Sequence, residues 1–161
     1  MDKDEIERKM KELSGIIRYR FKDISWLSKA MGSIKVGKNE YKNETLAIVG
    51  DALLKALICD HYYSQDENIS KKDINDVKER LENNEILRDI VNGENLRQYT
   101  YNDKHFYASN IPEQEKVKEK HDPYIEAMIG AIFYDSGRNW KKLKNWFEDY
   151  LFPLLEKYKK V

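Results

Sequence analysis

Net charge, disulfide bonding and long apolar runs are all missing from this chain of 161 residues, and each absence narrows its function. Its 29 Lys and Arg balance 29 Asp and Glu. There is thus no global basic footprint of the kind that marks many nucleic-acid binders, and any such role must rest on local patches. A single cysteine, Cys59, excludes an intrachain disulfide, so the fold stands on packing and a reducing compartment suits it. The opening MDKDEIERKMKELSG is charged and lacks the apolar stretch of a secretory signal. Neither LAIVGDALL nor IGAIFY approaches the ~20 apolar residues of a membrane span. The expectation is a single cytoplasmic domain over residues 1–161, with no membrane attachment and no further RNA-binding domain behind it.

Catalytic motifs are scarce as well. The chain has no GxxxxGK[ST] loop, GxGxxG turn or GxSxG elbow, which removes the usual signs of nucleotide binding and serine hydrolysis. His61, His105 and His121 are scattered, with no cysteine at zinc-ligand spacing, and none reads as a metal ligand.

What is present is helical spacing. Only 3 Pro and 7 Gly interrupt the chain, and apolar residues recur every three or four positions. The pattern predicts helices over Lys3–Ser14 and Trp26–Met31, the second capped by Asp23 or Ser25. A long helix from Asn43 to about Tyr63 follows, capped by Asn43 and buried along Leu46, Val49, Leu53 and Leu57. Next come Lys71–Asn83, introduced by Ser70, and Glu85–Asn92. Residues Gln98–Lys120 read as a Tyr-rich surface loop with at most a helical turn. Pro123 suits the first turn of a buried helix through PYIEAMIGAIFYD, and a last helix runs from Asn139 towards Lys157. The fold class is all-α.

Two of these helices combine acids with small residues. Glu44 and Asp51 fall at i and i+7 on one face, with Gly50 and Ala52 beside Asp51. Asp122 and Glu126 fall at i and i+4, followed by Ala127, Gly130 and Ala131. If the small faces cross, Asp51 and Glu126 meet with Asp122 at the edge. Like charges there repel unless protonated or bound to a cation, and carboxylate oxygens suit Mg²⁺. That is the chemistry of metal-assisted phosphodiester hydrolysis. The alternative is that Glu44 and Asp51 are exposed acids pairing with Lys55 or Lys42, and that Asp122 is a helix cap. The basic residues Arg138, Lys141, Lys142, Lys144, Lys157, Lys159 and Lys160 read as a solvated helix face, with an RNA patch as the alternative.

NETLAIVGDALL (Asn43–Leu54) resembles the signature helix of the ribonuclease III family, NExLEFLGDAVL, and EAMIGAIFYDSG (Glu126–Gly137) resembles its second motif, EALIGAIYLDSG. YRFKDISWLSKAM (Tyr19–Met31) and KERLENNEILRDIV (Lys78–Val91) are similar to its leading segment and to the helices between the motifs. The resemblance runs from about Leu13 to Leu155. It implies an all-α endonuclease domain that forms a homodimer and cleaves double-stranded RNA with Mg²⁺, and the affinity order of divalent metals makes Mn²⁺ the expected substitute. By position, Asp51 and Glu126 match the metal-binding acids and Glu44 the first signature glutamate. Two positions depart from the pattern. Ala47 stands where the second signature glutamate is usual, and the acid expected three residues before Glu126 is four before it, at Asp122. These departures suit a second reading, a non-catalytic RNA-binding or ribonucleoprotein component.

Overall fold

The computed structural model describes residues 1–107 and 122–159. Helix α1 (Lys3–Ile16) starts at Asp2, whose carboxylate accepts the Asp4 N–H at 2.9 Å, and buries Met10 and Leu13. Helix α2 (Ser25–Met31) has Ile24 at its cap position with no side-chain cap bond, so neither Asp23 nor Ser25 is the cap expected; Asp23 Oδ1, just outside, accepts both the N–H and the hydroxyl of Ser25. Helix α3 spans Lys42–Gln65, and α4 (Lys71–Leu81) is capped by Ser70, whose hydroxyl accepts the Asp73 N–H at 3.0 Å. Helix α5 covers Asn84–Gly93, α6 Tyr124–Asp135, α7 Trp140–Trp146 and α8 Phe152–Tyr158. Strands are absent among the described residues, which hold only isolated bridges. No helix among them is long and apolar enough to cross a membrane.

Helices α3 and α6 form the centre and pack against each other more extensively than any other pair described. A Cβ built on Gly50 would lie 1.6 Å from the carbonyl oxygen of Glu126, and one on Gly130 would lie 2.7 Å from that of Leu46. The two backbones therefore touch, and only glycine fits at Gly50. This is the crossing of small faces expected from the sequence. Ala127, Met128, Ile129, Ala131 and Ile132 seal the junction with at most 1% exposure each. Burying each large apolar side chain of this kind contributes about 1.5–3 kcal/mol before conformational entropy is subtracted.

Several details differ from the expectations. Asn43 is not a cap: it lies inside the first turn of α3, fully buried, with Nδ2 donating to the Ala30 carbonyl at 3.0 Å. The buried stripe of α3 runs through Leu46, Ala47, Gly50, Leu54, Leu57, Ile58 and His61, while Val49 and Leu53 are only half-buried. The cause is the glycine contact, which turns the Gly50 face inward. Pro123 likewise sits outside α6, where its carbonyl accepts the Ala127 N–H at 2.8 Å.

Much of the first part of the expected loop is folded onto the core. A short 3₁₀ turn, Arg97–Tyr99, leads into buried Thr100 and Tyr101. Backbone bonds Tyr101 N–H to Met31 and Ser33 N–H to Tyr101 pin this stretch to the end of α2. The remainder of that loop, with His121, lies outside the described residues.

The last helix is interrupted. A π-helical turn, Phe147–Leu151, separates α7 from α8, just ahead of Pro153. Proline has no N–H to return to the carbonyl four residues earlier and its ring crowds that group, so a wider turn relieves the conflict. Trp146 and Phe147 pack inward, with the indole N–H of Trp146 donating to the Ile17 carbonyl at 2.8 Å.

Candidate active site

A cleft of about 260 Å³ opens where α3, α5 and α6 meet, lined by Glu44, Ala47, Ile48, Asp51, Asn84, Arg88, Asp122, Pro123 and Glu126. All four candidate site acids thus reach one cavity. Asp51 and Glu126 arrive from opposite sides of the glycine contact and line the cleft together. Burial, then the hydrogen bond with Asp51 and its charge, push Glu126 up to about 8 from the ordinary 4.5. Glu126 is thus held in its protonated form near neutral pH. Lys55 Nζ donates to Asp51 Oδ2 at 3.1 Å, as the alternative reading of Asp51 anticipated, yet this leaves Asp51 facing Glu126 as well.

Asp122 lines the same cleft as Asp51 and Glu126. It is not a helix cap, and its side chain is only 4% exposed. One carboxylate oxygen accepts from Arg97 Nη2, while Oδ1 is buried with no hydrogen-bond partner among the described residues. Burial raises its pKa, opposed by the charges of Arg97 and Arg88. Arg97 is itself anchored, with Nε donating to Asn92 Oδ1 at 3.1 Å and its guanidinium over the Tyr124 ring. Glu44 stands half-buried on the wall of the cleft, one helical turn from Ala47.

No group of three or more His, Cys, Asp or Glu side chains among the described residues forms a ready metal cage. The donor set nonetheless fits a hard divalent cation. Two carboxylates are brought together across a fixed backbone contact, and a third, Asp122, lines the same cleft and keeps a buried oxygen without a partner among the described residues.

Other candidates separate from the cleft. His61 is buried elsewhere, bonded through Nδ1 to Glu148 at 2.7 Å. The basic C-terminal residues are partly spent on ion pairs, Lys144 with Asp60, Lys157 with Glu94 and Lys159 with Glu156. Tyr99 and Tyr101 are core residues, and the Tyr101 hydroxyl donates to the Ser28 carbonyl at 2.6 Å. Sequence reasoning missed Arg97, which lies 25 residues before its partner in a stretch without periodicity. It also missed Asp135, a buried acid that accepts from Tyr19 Oη and the Lys22 and Asp23 N–H groups and so fixes the segment before α2. Its place at the C-terminal end of an apolar helix was the available signal.

The architecture defines an all-helical domain with a carboxylate-lined cleft at a central helix crossing. The ribonuclease III domain matches residues 44–137, and the chain belongs to that family, as its two motifs imply. It is similar to the Ribonuclease 3 of Campylobacter jejuni, with 27% identity over 138 residues, covering 84% of this chain and 58% of that protein. For the Ribonuclease 3 of Aliarcobacter butzleri the identity is 25% over 134 residues, covering 81% and 57%. The chain therefore spans a little over half the length of these curated relatives. Among solved structures it is similar to the nuclease domain of ribonuclease III from Campylobacter jejuni, with TM-score 0.68 and 25% identity, covering 92% of this chain and 97% of that one. That structure shows flexibility in a region involved in dimer formation.

Proposed function

We propose that this protein is a ribonuclease III-type endoribonuclease that hydrolyses phosphodiester bonds of double-stranded or structured RNA. The observation that carries this reading is the Asp51–Glu126 carboxyl pair across the Gly50 contact, in a chain of this family. Asp51 and Glu126 would hold Mg²⁺, or Mn²⁺ in its place, with Asp122 Oδ1 as a further donor. When bound, such an ion lowers the pKa of a coordinated water and offsets charge on the reacting phosphate. Glu126 must release its proton for this role, which the charge of Asp51 opposes and a bound cation would favour. Arg97 holds the Asp122 carboxylate from behind, which fixes its direction despite the shifted position before Glu126. Arg88, on the cleft wall, supplies positive charge where phosphates would lie. Glu44 supports the site from the rim.

Ile48, 71% exposed beside this cleft on α3, favours a second copy of the chain packing over the site. We place the protein in a reducing, cytoplasmic setting, in keeping with its one free thiol.

The test is cleavage of a long perfect RNA duplex with Mg²⁺ and with Mn²⁺, beside Asp51→Asn. Products with short 3′ overhangs are expected from the natural protein. Asp51→Asn should lose at least about a hundredfold in rate while keeping its helical circular dichroism. A fully active Asp51→Asn enzyme would refute the assignment.

A second reading, a non-catalytic RNA-binding component, is favoured by Ala47 and by the Arg97–Asp122 ion pair, which occupies one oxygen of a candidate ligand. Ala47→Glu separates the two. Tighter Mg²⁺ binding in this variant supports a working ligand set, and unchanged binding supports a decayed one.

A further inference from the structure

The chain is neutral as a whole, but its charges are not evenly spread. Residues 29–42 carry Lys29, Lys35, Lys38 and Lys42 against one acid, Glu40. The loop between α2 and α3 folds back on itself, with the Val36 N–H donating to the Glu40 carbonyl at 3.0 Å and the Lys42 N–H to the Ile34 carbonyl at 2.8 Å. Lys29 and Lys42, both exposed, each line two adjoining clefts of about 360 and 390 Å³. The first has no acid on its walls, and Glu40 is the one acid on the second. Beyond them the positive charge continues. Lys29 Nζ lies 5.6 Å from the centre of the Trp26 ring, Trp26 stacks on Tyr134 at 5.4 Å, and the Arg138 guanidinium lies 5.4 Å from the centre of the Tyr134 ring. Such rings hold cations without cancelling their charge. None of these five cations is within ion-pair distance of an acid among the described residues, in contrast to Lys144, Lys157 and Lys159 of the C-terminal arm.

We propose that the face formed by α2, the loop after it and the start of α3 is a docking surface for the sugar–phosphate backbone of RNA, with Lys29 and Lys42 at its centre. This rests on the ribonuclease reading above and adds to it a binding surface apart from the acidic cleft. Along α3, Glu44, Ala47 and Asp51 line the cleft whereas Lys42, Thr45 and Val49 line the basic groove, so the two sites flank one helix. The acids of the cleft repel phosphates in the absence of a metal, and a chain without net charge must draw its affinity for a polyanion from elsewhere. Exposed ammonium groups without acid partners supply it, because they release counterions on meeting phosphates and do so without reading sequence. Val36, Leu46 and Val49 add apolar walls to the groove. A second copy of the chain seated there would have to bring acids to both lysines or bury them unpaired.

The experiment is fluorescence anisotropy of a labelled RNA duplex titrated with the whole chain in a metal chelator, over a series of salt concentrations, with sedimentation velocity of each protein beside it. Lys29→Gln combined with Lys42→Gln should weaken binding at least about tenfold and flatten the slope of log affinity against log salt by about 2. Lys42→Gln alone should flatten it by about 1. Lys35→Gln combined with Lys38→Gln, confined to the loop, should flatten it as well and keeps the test open should the first pair disturb α3. Lys157→Gln combined with Lys159→Gln should change neither affinity nor slope. Circular dichroism verifies the fold of each variant. Natural slopes in both the groove pair and the loop pair would overturn the proposal and leave the ribonuclease reading standing. A loss of binding that follows a change in the sedimenting species would overturn it too, and would make this face an interface between copies. So would a natural protein that binds no RNA in chelator, since this face needs no metal. The ribonuclease reading itself falls only with the cleavage assay above.

Discussion

The two halves of α3 are built from the same helix but treat their polar groups in opposite ways. Towards its C-terminal end, each of three consecutive residues has a partner from the last helical arm. Asp60 pairs with Lys144 at 2.5 Å, His61 with Glu148, and the Tyr62 hydroxyl donates to Glu156 at 3.1 Å. His61 also lies 3.9 Å from the Phe152 ring, centroid to centroid. Towards its N-terminal end, Asp51 faces a second carboxyl group, and the neighbouring acids keep buried oxygens without partners among the described residues. One end spends its charges on holding the arm in place. The other retains charges the fold does not need, at a cost in stability, and such unmet groups mark a site.

The sharpest way to break this comparison is Gly50→Ala. The added methyl carbon would fall 1.6 Å from the Glu126 carbonyl oxygen, so the central helices must part. A loss of about 3 kcal/mol or more is expected, read as a fall in the urea midpoint or a failure to fold. A natural-like midpoint would show that the helices do not depend on backbone contact. Next in size is His61→Ala at the structural end, expected to cost about 2 kcal/mol through lost packing and an abandoned Glu148. If denaturation shows no loss there, that end is not held as described.

Glu126 gives a pH signature to the functional end. Its folded-state pKa is raised from 4.5 to about 8. The folded chain therefore holds a proton that the unfolded chain gives up. Its contribution to stability is complete below about 4.5 and is lost as pH rises through about 8. In a metal chelator the thermal midpoint should fall across that window, and Glu126→Gln should flatten the fall. An unchanged slope in the variant would locate the titration elsewhere. The smallest effect is expected for Lys157→Ala, which removes a surface pair with Glu94 whose lysine is 61% exposed. A change within about 0.5 kcal/mol is expected from calorimetry, and a larger one would mean that the arm depends on surface charge.

Local chemistry made much of this structure legible in advance. Ser70 caps the helix assigned to it because a cap needs only its own neighbours. The small residues around Gly50 and Gly130 made a crossing of the two helices one of two readings, the one in which Asp51 and Glu126 meet. Contacts between distant segments were not legible. Asn43 is consumed by the Ala30 carbonyl, and Asp122 is turned by an arginine from a stretch with no periodic pattern. The widened turn in the last helix had only Pro153 as a clue, and a proline there is equally compatible with a plain helix end. Lys55 was visible only as a salt-bridge partner, since its field from Glu82 depends on how α4 folds back along α3.

The backbone contact at Gly50 has a consequence for change over time. Because main chain meets main chain there, the places from which Asp51 and Glu126 project are set without help from the side chains around the cleft. Positions such as Ala47 and Asp122 can then gain, lose or shift an acid while the frame stays put. A scaffold of this kind lets a lineage alter its ion, its rate or its very need for catalysis by single substitutions, and the glycine is the residue it can least exchange.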